Sequence, residues 1–281
     1  MLKVLKSGFY SSIQDKGRIG FGSIGVPVSG VMDSYASDLA NTILDNNLED
    51  AVLEITFGNC EFQFLKQTII CISGADFSAK LNGEFINLNT RIAIHQNDIL
   101  SFGKINFGAR TYLAVKGGFL SEEKLKSRSY FKNITKDFII KKNDEIPFAD
   151  CYVQFSSSKS AIKVNDSHFN TQIVECNKGP EFELLSLYQQ KQLVQIFTIS
   201  KDNNRMGYRL VESIINKLPQ ILTSAVLLGT VQLTPSGKLI VLMRDCQVTG
   251  GYPRILQLTE NAVNILAQKS TYDKFKFVLI S

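Results

Sequence analysis

The stretch GTVQLTPSGKLIVLMRDCQVTGGYPRILQL, residues 229–258, consists of short apolar runs separated by polar and glycine-containing segments. Its β-type runs cover residues 230–234, 239–243 and 254–258. Several short runs of this kind at close spacing are typical of β-sandwiches and β-barrels. The stretch therefore predicts a β-sheet that presents the polar segment 244–252 beside the end of a buried strand.

The same pattern extends along most of the chain. Further predicted strands are 61–65, 68–73, 91–94, 98–102, 111–115, 172–176, 196–199 and 274–280. A helix is predicted over residues 33–44, because apolar residues recur at helical spacing behind an Asp/Ser capping position. Two more helices are predicted at 181–195 and 260–268. The fold class is therefore mainly β with a few helices.

Two lobes are predicted from the composition of a central segment. Residues 155–170 are rich in serine, lysine and asparagine, as expected of a surface connection. We place the boundary there, which gives an N-terminal β lobe with one helix over residues 1–155 and a C-terminal β lobe over residues 156–281.

Composition limits the functional classes. The 281 residues are 44% apolar, and no apolar run approaches the roughly 20 residues that span a bilayer, so no membrane segment is predicted. Charged residues such as Lys3, Lys6 and Lys16 interrupt the N-terminal stretch that a secretory signal needs to be apolar, so no secretory signal is predicted either. The five cysteines lack a Cys-x-x-Cys pair and the two histidines stand alone, which argues against a metal site or a Ser-His-Asp triad. The net charge of +5 is scattered, which argues against a nucleic-acid partner. We expect a cytoplasmic protein.

A glycine-dense stretch at residues 17–30 contains a formal Gly-x-Gly-x-x-Gly at Gly20, Gly22 and Gly25. A dinucleotide-binding fingerprint needs a strand before it and a helix directly after it. Here Pro27 follows where that helix should begin, so the context does not support the fingerprint. No P-loop motif is present either.

Two segments of the second half are chemically dense. The first, DNNRMGYRL at residues 202–210, offers two arginines that could bind a carboxylate or phosphate in a bidentate manner. The second, RDCQVTGGYPRI at residues 244–255, places polar side chains around a pair of glycines, which allow close approach of a ligand to the backbone. The alternative is a hairpin loop with a salt bridge, and the residues alone leave both interpretations open.

Long motifs give the chain a resemblance to a known family. They are SIQDKGRIGFGSIGVPVSGVMDSYASDLAN at residues 12–41, SGAD at 73–76, RTYLAVKGG at 110–118, RMGYRL at 205–210 and GTVQLTPSGKLIVLMRD with TGGYPRI at 229–255. In this order they resemble the family of KipA and the C-type subunit of 5-oxoprolinase, which includes the carboxyltransferase part of urea carboxylase. One departure is KSRSY at residues 126–130, where Tyr130 replaces a threonine of the family pattern.

The resemblance implies a cyclophilin-like β-barrel architecture and a C-type subunit of an ATP-dependent 5-oxoprolinase, which converts 5-oxoproline to glutamate. Its expected partners are a B-type, KipI-like subunit and a separate A-type subunit, with ATP used by the complex and the chain inactive alone. Segments 9–13 and 26–31 are expected to face a partner. The alternatives are a biotin-dependent carboxyltransferase component acting on a urea-like amide, or a KipA-type protein that antagonises a kinase inhibitor. No methionine lies in an Ala-Met-Lys-Met context, so covalent biotin on this chain is not expected.

The resemblance also implies a ligand site in the second lobe. Arg205 would hold an anion, Asp245 would orient the reacting amide or act as a base, and Gln247 would supply a hydrogen bond; these three are the predicted catalytic residues. The predicted substrate-binding residues are Arg209, Thr249, Gly250, Gly251, Tyr252, Gln14, Asp15, Arg18, Pro27, Ser29 and Asp33. The alternative is an Arg205–Asp245 ion pair that only braces a hairpin.

Overall fold

The structure is a computed structural model that describes residues 1–151, 164 and 167–280. The chain divides into two compact units, one comprising Met1–Arg18 with Asp33–Asp166 and the other comprising Ile19–Met32 with Ser167–Ser281. The predicted boundary between residues 155 and 156 lies outside the described residues.

The first unit contains two antiparallel sheets and a helix of ten residues. Its elements are β1 (Leu2–Ser7), β2 (Tyr10–Gln14), α1 (Ser34–Ile43), β3 (Val52–Thr56), β4 (Cys60–Phe64), β5 (Thr68–Asp76), β6 (Lys80–Leu81), β7 (Glu84–Phe85), β8 (Ile92–Ile94), β9 (Ile99–Phe102), β10 (Phe107–Val115) and β11 (Glu145–Ile146). The strand orders are β11-β1-β4-β9-β6-β7 and β2-β3-β10-β5-β8. Alternating apolar residues such as Phe62, Phe64 and Leu113 form its buried core.

The second unit contains a closed barrel. Its elements are a 3₁₀ turn (Gly22–Ile24), α2 (Ser167–Asn170), β12 (Ile173–Lys178), a 3₁₀ turn (Phe182–Leu184), α3 (Leu187–Gln192), β13 (Ile196–Asn203), β14 (Gly207–Ser213), β15 (Ser224–Ala225), β16 (Thr230–Leu233), β17 (Lys238–Leu242), β18 (Thr249–Gly250), β19 (Arg254–Leu258), α4 (Glu260–Ala267) and β20 (Lys274–Leu279). The barrel order is β12-β19-β16-β17-β14-β13-β20, and β15 pairs separately with β18. Val231, Leu233 and Val241 belong to the buried core of this unit. The predicted mainly β fold with a barrel is confirmed.

Two of the predicted helices are confirmed and one is wrong. α1 and α4 begin after Asp33 and Thr259, whose side chains accept hydrogen bonds from backbone N–H groups of the first turn. The predicted helix 181–195 is instead a 3₁₀ turn followed by α3. The break occurs because Ser186 starts a new helix, in which Ser186 and Gln189 form a reciprocal capping box.

Residues 19–32, which the sequence interpretation assigned to the first lobe, belong to the second unit. Met32 is fully buried in the second core. The Ser29 N–H donates to the Arg244 carbonyl at 3.0 Å. Long-range packing of this kind leaves no local signal in the sequence.

The segments expected to face a partner are only partly exposed. Phe9 and Val28 have 73% and 44% of their surface exposed, whereas Ile13 and Val31 are buried. All five cysteines are free and buried. None of the helices in the described part of the chain has the length and apolar character needed to cross a membrane.

Replacing Asp33 by alanine should lower the free energy of unfolding by about 1 kcal/mol. Asp33 Oδ1 accepts a hydrogen bond from the Ala36 N–H at 3.1 Å at the start of α1. Urea denaturation of both proteins measures the loss. Asp33→Asn is the control, because asparagine caps helices about as well as aspartate; an equal loss in both variants would contradict capping as the cause.

Candidate functional site

A cavity of about 550 Å³ lies in the second unit, next to the connection between β13 and β14. Strands β14, β16 and β17 and the segment after β17 also contribute to its wall. The polar residues that line it are Lys201, Asp202, Asn203, Asn204, Arg209, Gln232 and Gln247. Its size is in the range of small-molecule sites, so it is the candidate ligand site of this unit.

Three of the predicted site residues line this cavity, namely Arg209, Gln247 and Tyr252. Arg209 is exposed, whereas Gln247 and Tyr252 are half-buried. Arg209 lies on β14, and the other two flank the short strand β18. Their predicted roles in binding stay predictions, and their placement in one cavity is compatible with those roles.

Arg205 and Asp245 form a nearly buried, bidentate ion pair. Arg205 Nε donates to Asp245 Oδ2 at 2.9 Å, and Nη2 donates to Oδ1 at 3.0 Å. The Asp245 N–H also donates to the Arg205 carbonyl at 2.8 Å. A bidentate pair fixes the relative orientation of the two side chains in addition to their electrostatic attraction. This is the ion pair that the bracing interpretation predicted, while the catalytic roles of both residues stay predictions.

The segment before α1 completes this cluster of side chains. The Ser29 hydroxyl donates to Asp245 Oδ1 at 2.6 Å, and Arg205 Nη2 also donates to the Gly30 carbonyl at 2.6 Å. Ser29 has a φ of 60°, in the left-handed region that non-glycine residues rarely adopt. Strain of this kind persists only where surrounding contacts hold the residue. Pro27, the other predicted residue of this segment, is half-buried.

The glycine pair at residues 250–251 allows close approach of other groups. A Cβ on Gly250 would lie 2.6 Å from Gln232 Nε2, and one on Gly251 would lie 3.1 Å from the Ile221 carbonyl. Thr249 and Gly250 form β18, with Thr249 exposed. The predicted role of both glycines in substrate binding stays a prediction.

Cys246 lies next to Asp245 but is poorly suited to act as a nucleophile. Burial, and secondarily the negative charge of Asp245, raises the pKa of its thiol to about 11. A thiol reacts through its thiolate form, which is scarce at neutral pH when the pKa is that high.

Among the predicted residues of the first unit, Asp15 organises a loop. Its Oδ1 accepts hydrogen bonds from the Ser127 and Ser129 hydroxyls, both at 2.6 Å. Its Oδ2 accepts from the Arg128 N–H at 2.5 Å. Three hydrogen bonds to one carboxylate hold the KSRSY segment in place. The sequence had flagged that segment only as a departure from the family pattern.

Gln14, Arg18 and Asp33 are also fully buried. Gln14 Nε2 donates to the Ser12 hydroxyl at 3.0 Å, and Arg18 Nη2 donates to the Ser129 carbonyl. The Asp33 N–H donates to the Tyr112 hydroxyl at 2.7 Å. These contacts lie within the first unit, and the predicted binding roles of the three residues stay predictions.

Sequence reasoning missed several residues of the cavity, of which Gln232 is the most informative. It is a glutamine within the otherwise apolar strand β16, between Val231 and Leu233. Alternation along a strand normally separates core residues from solvent-facing ones. Between Val231 and Leu233 this rule predicts a solvent-facing glutamine, so its 2% exposure is a property of the fold that the sequence does not indicate.

Arg254 of the TGGYPRI segment pairs with Glu181. Arg254 Nε and Nη2 donate to the two carboxylate oxygens of Glu181 at 3.0 and 2.7 Å. The hydrogen bonds from Arg254 lower the pKa of Glu181, although burial opposes the shift. The ion pair joins the start of the 3₁₀ turn at residues 182–184 to β19.

A pH dependence of stability follows from this lowered pKa. A carboxyl whose folded pKa is depressed stabilises the fold above its ordinary pKa of about 4.5, and that contribution is lost as the pH falls through the folded value. The stability difference between wild type and Glu181→Gln should therefore be largest near pH 7 and shrink below about pH 4.5. Urea unfolding at several pH values measures it, and a constant difference would contradict the ion pair as its source.

Comparison with known proteins identifies the class. Residues 24–279 match the family model described as carboxyltransferase domain, subdomain A and B. The chain belongs to this family.

Among its relatives, the chain is 30% identical to the C subunit of the Escherichia coli 5-oxoprolinase, over the whole chain and 92% of that protein. It is 27% identical to the corresponding 5-oxoprolinase component of Haemophilus influenzae, again over 92% of that protein. It is 41% identical to the urea amidolyase of Lachancea kluyveri over 130 residues, which are 46% of this chain and 7% of that one.

A solved structure agrees with this assignment. The urea amidolyase of Kluyveromyces lactis superposes with a TM-score of 0.88 at 27% identity, over all of this chain and 19% of that one. The chain thus corresponds to only about one fifth of that larger protein.

Proposed function

We propose that the chain is the C-type subunit of a 5-oxoprolinase and takes part in opening the lactam of 5-oxoproline to give glutamate. The observation that carries this proposal is the similarity to the C-type subunits of two bacterial 5-oxoprolinases, which extends over the whole chain and 92% of each relative. Similarity over a single motif would support only a shared local structure.

The cavity of the second unit supports the proposal chemically. 5-Oxoproline is a small ring with an amide and a carboxylate. The cavity presents the Gln232 and Gln247 carboxamides as partners for an amide, and the Arg209 guanidinium as a partner for a carboxylate.

The complete reaction requires partners, in our proposal a B-type, KipI-like subunit and an A-type subunit, with ATP used by the complex. The described residues contain no group of three or more His, Cys, Asp or Glu side chains placed to hold a metal ion. The free cysteines are compatible with a reducing, cytoplasmic setting.

Reconstitution tests this function. The chain is co-purified with A- and B-type subunits from the same organism, and glutamate release from 5-oxoproline is measured with and without ATP. We expect ATP-dependent release from the full set and only background release when any subunit or ATP is omitted. Release by this chain alone, or none from the full set, would contradict the proposal.

A carboxyltransferase acting on a urea-like amide is the second candidate. It is favoured by the 41% identity to a urea amidolyase over 130 residues. In that case the chain should transfer a labelled carboxyl group from a separately supplied carboxybiotin carrier to urea. Labelled product with urea, together with no glutamate from 5-oxoproline in the full set, would select this candidate over the first.

A further inference from the structure

Gln232 is one of the residues that line the cavity, and the nitrogen of its side-chain amide makes no hydrogen bond to the described part of the chain. Gln232 is 2% exposed, and its Nε2 has no hydrogen-bond partner among the described residues. A buried N–H without a partner has lost its hydrogen bonds to water without replacement, which disfavours the folded state. A functional role, such as a hydrogen bond to a ligand, would account for such a group.

Gly250 is the second observation. A Cβ at this position would lie 2.6 Å from Gln232 Nε2 and 3.5 Å from Gln247 Nε2. The φ angle of Gly250 is outside the left-handed region, so its backbone does not require glycine. Because residue 250 has no side chain, the amide nitrogens of Gln232 and Gln247 can both lie close to its backbone.

The charges of the cavity indicate the kind of ligand. Lys201 and Arg209 contribute two positive charges to its wall, against one negative charge from Asp202. An N–H donor in a nearly buried position selects a carbonyl oxygen, and the cationic side favours an anionic substituent. A small amide that carries a carboxylate has both features.

We propose that Gln232 is a specificity residue that contacts the substrate, with its Nε2 donating to the carbonyl oxygen of a small amide whose carboxylate is bound by Arg209. This inference rests on the proposed function, because 5-oxoproline has both groups on one ring. It assigns a role to a residue outside the conspicuous RMGYRL and TGGYP segments.

The primary test replaces Gln232 by leucine in the complete complex. We expect the KM for 5-oxoproline to rise about 10- to 100-fold, as when a hydrogen bond to the substrate is lost. The Tm of the chain should stay the same or rise, because leucine removes a buried amide N–H that had no partner. An unchanged KM with a lower Tm would overturn the inference and assign Gln232 to the fold.

Gln257 provides a matched control. It lies on the neighbouring strand β19, and both ends of its amide are used: Nε2 donates to the Leu228 carbonyl at 2.6 Å, and Oε1 accepts from the Thr230 hydroxyl at 2.9 Å. Gln257→Leu should therefore lower the Tm and leave the KM unchanged, the reverse of the pattern expected for Gln232. The Gly250→Ala variant should raise the KM, because its methyl group displaces the Gln232 amide.

Substrate analogues identify the group that is recognised. Proline lacks the ring carbonyl, and 2-pyrrolidinone lacks the carboxylate. As competing ligands, both should bind more weakly than 5-oxoproline to the wild-type complex. Gln232→Leu should abolish the preference over proline, and Arg209→Gln should abolish the preference over 2-pyrrolidinone. Retention of both preferences would overturn the inference.

Failure of the proposed function is a separate outcome. If the wild-type complex does not hydrolyse 5-oxoproline, that function is wrong, and the role of Gln232 is decided by NMR titration of the purified chain with 2-pyrrolidinone and urea. Saturable binding that Gln232→Leu abolishes would support an amide-recognising role. No saturable binding, or binding that the substitution leaves intact, would overturn it.

Discussion

Replacing Arg205 by alanine is expected to lower the free energy of unfolding by about 3–5 kcal/mol. The Arg205 and Asp245 side chains are only 8% and 13% exposed, so alanine would leave the Asp245 carboxylate largely out of water and without its main partner. The Gly30 carbonyl would lose a hydrogen-bond donor as well. Urea denaturation of the purified chain measures the loss.

Arg244→Ala is the control for this prediction. Arg244 is adjacent in sequence and its side chain is 14% exposed, but its partner Glu260 is 57% exposed. Removing Arg244 therefore leaves no carboxylate buried, and we expect a smaller loss of stability than for Arg205→Ala. A loss below about 1 kcal/mol for Arg205→Ala would show that its ion pair does not brace the fold.

The companion variant Asp245→Asn separates bracing from catalysis. If Asp245 acts on the substrate, turnover per folded molecule in the reconstituted complex should fall roughly 100-fold, as when one transition-state contact is removed. If the pair only braces the loop, activity should fall in step with the folded fraction.

Replacing Gly179 by alanine is expected to destabilise the chain by about 3 kcal/mol, at the upper end of the usual range for overpacking. Its Cβ would lie 2.2 Å from the Arg254 carbonyl oxygen, a backbone atom that cannot rotate away. The Gly179 N–H already donates to the Ile255 carbonyl at 2.9 Å, so the two segments cannot separate without losing hydrogen bonds of the barrel. Thermal and urea unfolding measure the effect.

Gly22→Ala is the matched control in the same unit. A Cβ there would meet only Val248 Cγ1 at 3.9 Å, which is an ordinary contact. We expect a change within about 0.5 kcal/mol. Equal losses at residues 22 and 179 would indicate a general effect of removing glycine and not a clash with the barrel.

Much of the fold was predictable because local patterns and tertiary packing agree. The strands β4, β5, β9, β16, β17 and β19 were predicted from short apolar runs, and α1 was predicted from its spacing and its Asp33 cap. The helix predicted at 181–195 was wrong. The composition of these residues favours a helix throughout and does not show that a separate helix begins after Ser186. Strands β1, β2 and β3 were missed, because charged or polar residues interrupt their short apolar runs LKVLKS, YSSIQ and VLEIT.

The candidate site was predictable to a smaller extent. The chemistry-bearing segments around Arg205 and Asp245 stood out by composition, and the ion pair between them was foreseen as one of two interpretations. The contribution of Ser29 to that pair could not be inferred from the residues alone, because it depends on a contact across most of the sequence. Gln232 was missed because a polar residue between Val231 and Leu233 has the spacing of a solvent-facing position on a strand.

The assignment of residues 19–32 to the second unit has a consequence for how the protein is made. During synthesis this segment leaves the ribosome well before residues 167–280, with residues 33–166 emerging between them. The barrel unit cannot complete its core around Met32 until nearly the whole chain has been translated, and it must then close a long loop of chain. We therefore expect nascent chains that end before β20 to leave the segment 19–32 accessible to proteases and chaperones.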